Sequence, residues 1–347
     1  MKARRPTSTD VAALAGVSRT TVSLVLNERD VQISPTTRKR VLDAARQLDY
    51  HPHASAQQLA GGTSRTIGLI LRQAPDQVAG DPFLAETLRG LTATAREHGY
   101  RVIVETHGAG GNGFGDLVRS RRIDGLVVSG PRAGDAELEE LAVGGFPVVL
   151  QGTLPGVDIS SVDVDSREGA RRAVEHLVVL GHRRIACITN APLAYTSARE
   201  RLEGYEAALR RAGIEPDPTW VEEAAFDAPS GQRAMAALLG RMDPEAVFVA
   251  SDIVAVGAIT ALRQAGRRVP EDVSVVGFDD IPLAAHLDPP LTTIRVPAFE
   301  LGRAVGRALF ERIGAPGMSA RTLLPTELIV RESTGPPHLS PVSRGAA

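Results

Sequence analysis

Two sets of residues in this sequence have the types and spacing to do chemistry. The first is the run Ser18-Arg19-Thr20-Thr21, continued by Ser23 and Leu24. An arginine fork matches the O6/N7 edge of guanine. Threonine meets base edges or a thymine methyl, and hydroxyls at a helix start hold phosphates. That is the chemistry of reading duplex DNA. The second set is dispersed: Phe83, Gln151, Arg199, Arg201, Phe226, Ser251, Asp252 and Asp279. It offers aromatic faces to stack on a sugar ring, a guanidinium fork, carboxylate acceptors and small polar groups, all suited to a hydroxyl-bearing small molecule. Asp252 also fits a helix cap after a strand, Phe83 after Pro82 also fits core packing, and Asp280 reads as turn chemistry.

The elements that must position the first set are legible. Thr7-Ser-Thr-Asp10 has the form of a capping box, and Val11, Leu14 and Ala15 give the following helix one apolar face. Gly16 ends it, Val17 fills the turn, and Ser18 caps a second helix over Arg19–Leu26 with Val22, Val25 and Leu26 inward. Two short helices about a glycine turn predict a helix-turn-helix. Ser34-Pro35 starts a third helix running to about Leu48, with Val41, Leu42, Ala45 and Leu48 on one face. Residues 53–62 then read as a short hinge helix ending in glycines, marginal in water by itself. Leu59 has no core to enter there and fits a minor-groove wedge.

Charge agrees with a head that meets a polyanion. Residues 1–65 hold ten Lys/Arg against five Asp/Glu, whereas the rest of the chain is net acidic although the whole is only -2. The single cysteine, Cys187, excludes a disulfide framework and reads as a small core residue.

From Thr66 onward, continuous apolar strands alternate with amphipathic helices, the pattern of parallel βαβ units. The pattern restarts after Val162-Asp-Val-Asp165. The expected fold is therefore α/β: an all-α head with a hinge helix, then two Rossmann-like lobes of periplasmic-binding-protein type with a cleft facing the strand C-termini. The expected boundaries are 1–52 for the head, 53–65 for the hinge and linker, and 66–334 for the body. The tail from 335 to 347 is expected to be disordered.

The segments Asp10-Val-Ala-Ala-Leu-Ala-Gly-Val-Ser18, Thr21-Val-Ser23, Ser34-Pro-Thr-Thr-Arg38, Leu48-Asp-Tyr50-His-Pro52 and Ala56-Gln-Gln-Leu-Ala-Gly61 together resemble the lactose repressor (LacI/GalR) family. The likeness continues through Asp81-Pro-Phe83, Leu180-Gly-His-Arg-Arg-Ile185, Arg201-Leu-Glu-Gly-Tyr205 and Val276-Gly-Phe-Asp-Asp280. It implies a homodimeric repressor on a two-fold symmetric operator in double-stranded DNA. Arg19 and Thr20 would read bases, and Thr7, Ser18, Thr21, Asn27, Ser34 and Thr37 would hold phosphates. Gln57 would lie along the hinge, and paired Leu59 residues would open the minor groove. Tyr50 and His53 complete that candidate surface. Leu24 stands where many relatives have a polar reader, and His53 where asparagine is common. The resemblance also implies that the chain crosses back, so that the first lobe takes 66–163 and 295–320 and the second 164–294 and 321–334, with a small-molecule effector between the lobes, most often a sugar and sometimes a nucleobase or nucleoside. The segment Arg72–Gly80 departs from the family's short loop.

Rival readings are weaker. A periplasmic sugar-binding protein shares the body, but a basic head and no signal peptide argue for a cytoplasmic protein. Gly108-Ala-Gly110-Gly-Asn-Gly113 satisfies a dinucleotide pattern, yet it follows the second strand of its lobe and reads as a surface loop. No Walker A, H-E-x-x-H or G-x-S-x-G sequence is present, so no catalysis and no cofactor or metal is expected. No apolar stretch spans a membrane, and the tail carries no heptads for a tetramer.

Overall fold

The computed structural model describes residues 6–26, 33–50, 63–107, 114–315, 317 and 319–337. The head contains α1 (Ser8–Ala15), α2 (Arg19–Leu26) and α3 (Pro35–Gln47). Each begins as its sequence dictates. Thr7 Oγ1 accepts from Asp10 N while the Asp10 carboxylate accepts from Thr7 N at 2.8 Å, a complete capping box. Gly16, at φ 64, closes α1 in a left-handed turn that side chains disfavour. Ser18 Oγ accepts from Thr21 N at 3.1 Å, and Ser34 Oγ from Thr37 N at 3.2 Å.

Val11, Ala12, Ala15, Val22, Val25, Val41, Ala44 and Ala45 form the head's core. Leu14 and Leu42, expected inside, are 48% and 37% exposed. The buried stripe is turned toward Ala12 and Ala44, whose small side chains let the short helices pack closely; the leucines lie at its edge.

The body holds two six-stranded sheets. The first contains β1 (Thr66–Leu71), β2 (Arg101–Thr106), β3 (Gly125–Ser129), β4 (Val148–Gln151), β5 (Ser160–Val164) and β11 (Arg321–Leu324), in the order β11-β5-β4-β3-β1-β2. All its pairings are parallel. The second contains β6 (Ile185–Thr189), β7 (Val221–Glu223), β8 (Ala246–Val249), β9 (Ser274–Asp279), β10 (Thr292–Arg295) and β12 (Glu327–Ile329), in the order β12-β10-β9-β8-β6-β7. Only β12 runs antiparallel. Strands β1, β3, β4, β6, β8 and β9 are almost wholly buried, as their apolar runs require.

The chain crosses between lobes more than once. Helix Ala298–Gly314 returns to the first lobe and packs on helix Pro82–Glu97. The boundary expected at residue 320 is corrected: Arg321–Leu324 pairs with β5, from Arg321 opposite Ser161 to Leu324 opposite Val164, so it belongs to the first sheet. Only from Glu327 does the chain join the second sheet. Arg321, Thr322 and Leu323 are exposed on an edge strand, so no apolar run marks it.

A second correction concerns the tail. Gly335 is held, its oxygen accepting from His182 Nε2 at 2.8 Å and its amide donating to Ser274 Oγ at 3.0 Å. Residues 338–347 lie outside the described residues. The segment after Leu71, which departs from the family's short loop, contains a short helix, Pro75–Ala79. The glycine-rich run 108–113 lies outside the described residues.

Candidate functional site

The helix-turn-helix places Ser18, Arg19 and Thr20 exposed at the start of α2, with Thr21, Ser23 and Leu24 half-buried behind them. Ser18 Oγ and Thr21 Oγ1 lie 2.9 Å apart, so the cap itself gathers two hydroxyls at the helix N-terminus. Such an end gathers amide donors and favours anions. Ser34 and Thr37 repeat the arrangement at α3, their hydroxyls 2.9 Å apart. Thr7 caps α1, and Tyr50 packs half-buried against the head's core. Asn27, His53, Gln57 and Leu59 lie outside the described residues.

In the body, a cleft of about 750 Å³, counted out to its open mouth, lies at the C-terminal ends of strands from both lobes. This is where open parallel sheets present ligands. Six of the candidates line it. Phe83 comes from the first turn of helix Pro82–Glu97, Gln151 from the end of β4, and Arg201 from helix Thr196–Arg211. Phe226 comes from the loop after β7, Ser251 from the turn after β8, and Asp279 from the end of β9.

Arg201 is fixed by its surroundings. Nη1 donates to Ala250 O at 2.5 Å, Nη2 lies 3.5 Å from Asp279 Oδ1, and the guanidinium stacks 3.8 Å from the Phe278 ring centre. Its buried Nε has no partner among the described residues. Phe226 and Asp279 both have positive φ, 60° and 116°. Such backbone strain in non-glycine residues gathers at functional sites.

Two candidates do not reach the cleft. Arg199 is exposed and donates to Leu193 O at 3.0 Å. Asp252 is fully buried at the start of helix Asp252–Gln264, where it accepts from Thr293 Oγ1 at 2.6 Å and from Ile281 N at 3.0 Å. It is an internal strut. Asp280, read as turn chemistry, bonds Arg295 and Arg331.

The cleft also contains residues that sequence reasoning missed: Arg72, Gln73, Asp81, Asp163, Asn190 and Ser197. Arg72, Gln73 and Asn190 directly follow a strand's C-terminal end, and for these three that position was the available signal. Gln73 Oε1 and Asn190 Oδ1 are buried without a partner among the described residues, an arrangement that a polar ligand would satisfy. Burial and the Asp279 charge push the Asp81 carboxyl up to about 7, although the Phe83 and Leu84 amides and Arg201 oppose this. Burial raises Asp279 to about 6 against the pull of Arg201 and Ser251. Burial and Glu200 raise Asp163 to about 7.

Several bonds join the lobes across this cleft. Gln77 Nε2, in the short helix after β1, donates to Ala225 O at 2.7 Å, beside Phe226. Tyr195 of the second lobe donates its hydroxyl to Arg72 O, and Ala133 N donates to Ala194 O at 3.0 Å. The structure is that of a closed cleft.

A helix-turn-helix head carried on a two-lobed binding-protein body defines a transcriptional regulator. The comparisons with known proteins agree over both parts. Residues 7–53 match the family described as bacterial regulatory proteins, lacI family, and residues 174–334 match a periplasmic binding protein-like domain. The transcriptional regulator CelR of Thermobifida fusca is 39% identical over 95% of this chain and 98% of its own. The transcriptional repressor CytR of Escherichia coli K12 is 38% identical over 96% and 99%. A lac repressor dimer bound to operator and the anti-inducer ONPF superposes with a TM-score of 0.83 at 32% identity, covering 96% of this chain and 100% of that one. A CelR–cellobiose complex does so at 0.73 and 38%, covering 95% and 100%. The chain belongs to the LacI family of bacterial transcriptional regulators.

Proposed function

We propose that this protein is a repressor that binds a two-fold symmetric operator as a homodimer, through Arg19 and Thr20 at base edges. In this reading a small-molecule effector in the cleft, a sugar or sugar derivative, sets its operator affinity. The observation that carries the reading is the joining in one chain of an exposed Ser18-Arg19-Thr20 helix start to a buried polar cleft with unpartnered Gln73, Asn190 and Arg201 atoms. Related proteins captured with operator and with cellobiose support both halves. Ser18, Thr21, Ser34 and Thr37 hold phosphates, and Phe83 and Phe226 offer faces to a ring. Arg201, Asp279, Ser251 and Gln151 bond its hydroxyls. The protein acts in the cytoplasm, where bacterial DNA is, and performs no catalysis.

Lobe closure couples to the head through a free energy of roughly 1–3 kcal/mol, the usual range for linked sites. Selection from random duplexes by the purified protein, followed by sequencing, tests the reading. Enrichment of a two-fold symmetric site, altered by pooled sugars, is the expected result. No enrichment at modest salt, with or without the pool, overturns it.

A further inference from the structure

The charge of the cleft is unevenly committed. Its cationic lining residues are Arg72 and Arg201. Arg72 is buried and paired with Asp135. Arg201 commits its terminal nitrogens to Ala250 O and Asp279 and its face to Phe278, which leaves Nε alone for a ligand. Against these stand the carboxylates of Asp81, Asp163 and Asp279. Asp81 bonds backbone amides at the start of helix Pro82–Glu97, with Phe83 N at 3.0 Å, and Asp163 bonds Val164 N at 2.8 Å. Asp81 and Asp163 come from the first lobe and Asp279 from the second. Closure therefore gathers acidic groups from both sides, and Glu200 adds its charge near Asp163.

We propose that Asp81, Asp163 and Asp279 restrict the cleft to neutral or cationic hydrogen-bond donors and exclude phosphorylated and carboxylated ligands. The proposal rests on the effector-sensing reading above and narrows its ligand class. Carboxylate oxygens accept from sugar or amine hydrogens, and a ligand rich in donors relieves the repulsion between Asp81 and Asp279 that closure creates. A phosphate ester does the reverse. It brings negative charge into a buried site whose guanidiniums already serve carboxylates and carbonyls, and a charge left unpaired there is costly. Burial is the main cause of the raised proton affinity of all three carboxyls, and a neighbouring acid adds to it at Asp81, through Asp279, and at Asp163, through Glu200.

The test uses the full-length protein and matched ligand pairs: glucose, ribose, cellobiose and adenosine, each beside its monophosphate ester. Thermal shift finds the pairs that bind, and calorimetry gives their affinities. In every pair that binds, the unphosphorylated member is expected to bind tighter. Asp81→Asn keeps the helix cap, since asparagine caps as well as aspartate. It should narrow the affinity ratio by about tenfold, as the loss of one nearby buried charge implies. An ester that binds as tightly as its parent overturns the proposal while leaving the sensing reading intact. A ratio unmoved in Asp81→Asn removes Asp81 from it. No stabilisation by any member of any pair overturns the sensing reading itself, and this inference with it.

Discussion

Asp252 and Thr293 are joined by a 2.6 Å hydrogen bond inside the second lobe. The other carboxylate oxygen accepts from Ile281 N. Gly277 makes the arrangement possible: a Cβ there would lie 2.1 Å from Asp252 Oδ1. Burial and the neighbouring Asp279 charge drive the Asp252 carboxyl well above the usual range. Asp252→Ala should cost about 1–3 kcal/mol in urea unfolding, because the Thr293 hydroxyl and Ile281 amide lose a buried partner. The folded variant should still bind effector. A variant as stable as its parent yet unable to bind would return Asp252 to the ligand site.

Arg201 should behave differently. Its guanidinium tempers the charge of Asp279 and leaves a buried Nε for a ligand. Arg201→Ala should abolish the effector's influence on operator binding, read by fluorescence anisotropy with and without effector, while operator affinity itself is kept. Urea unfolding should show a penalty of about 3–5 kcal/mol, the range for breaking a buried ion pair from one side. Loss of operator binding together with effector response would make Arg201 a structural residue only.

The contrast between Asp252 and Asp279 shows what the sequence displays and what it hides. Both are buried acids at the ends of strand motifs, and composition alone cannot say which faces the cleft. The answer depends on the gap left by Gly277 and on the turn at Asp279, where φ is 116°. Apolar runs such as Thr66–Leu71 and Gly125–Ser129 announce their strands because both faces are covered. Arg321–Leu324 does not, since an edge strand exposed to solvent needs no apolar pattern. Arg72, Asp81 and Asn190 went unseen because a loop side chain's place in a cleft is fixed by tertiary packing, and no periodicity records it. The helix caps at Thr7, Ser18 and Ser34 were legible because capping is local chemistry.

The unliganded protein should lose stability as pH rises. Asp81 and Asp163 are raised to about 7 and Asp279 to about 6, each from an ordinary value of 3.8. Asp81 faces Asp279 and Arg201; Asp163 faces Glu200, Arg201 and Arg321. A carboxyl whose proton affinity is raised by folding stabilises the native state below its unfolded pKa, and that contribution disappears as pH climbs through the folded value. From about pH 5 to 8 unfolding free energy should therefore fall by several kcal/mol, about 2–3 for each carboxyl raised to about 7 and about half that for Asp279, offset in part by His176 and His182, whose proton affinity burial lowers. Asp81→Asn should flatten the decline. A profile that rises with pH over this window, unaltered by Asp81→Asn, would contradict the assignment.

Gln77 ties the departing segment after β1 to the second lobe. Its amide nitrogen donates to Ala225 O, and its oxygen accepts from Ala74 N at 2.8 Å, so one side chain both caps the short helix and bridges the lobes. Gln77→Ala removes the bridge without touching the cleft's polar lining. The expected effect is faster effector release, with a loss of about tenfold or less in affinity, the range of one net hydrogen bond. Stopped-flow displacement measures it, and an unchanged release rate would show that the remaining bonds, Tyr195 to Arg72 O among them, suffice.

Arg19 is the first residue of α2 and lies exposed beside the Ser18–Thr21 cap. The two hydroxyls sit where the helix N-terminus gathers amide donors, a place for phosphate. The arginine, one position on, has the reach and the fork for a guanine edge. The two roles predict different losses. Arg19→Ala should cost about 1–3 kcal/mol at one base position of the operator and relax selectivity there, leaving binding to unrelated duplex almost untouched. Thr21→Ala should weaken binding to all duplexes alike, with specificity preserved. Electrophoretic titration of each variant against the selected operator, its single-base variants and a random duplex separates the two. Equal weakening by Arg19→Ala on every duplex, with a salt dependence shallower by about one counterion, would make Arg19 a phosphate contact and pass base reading to Thr20.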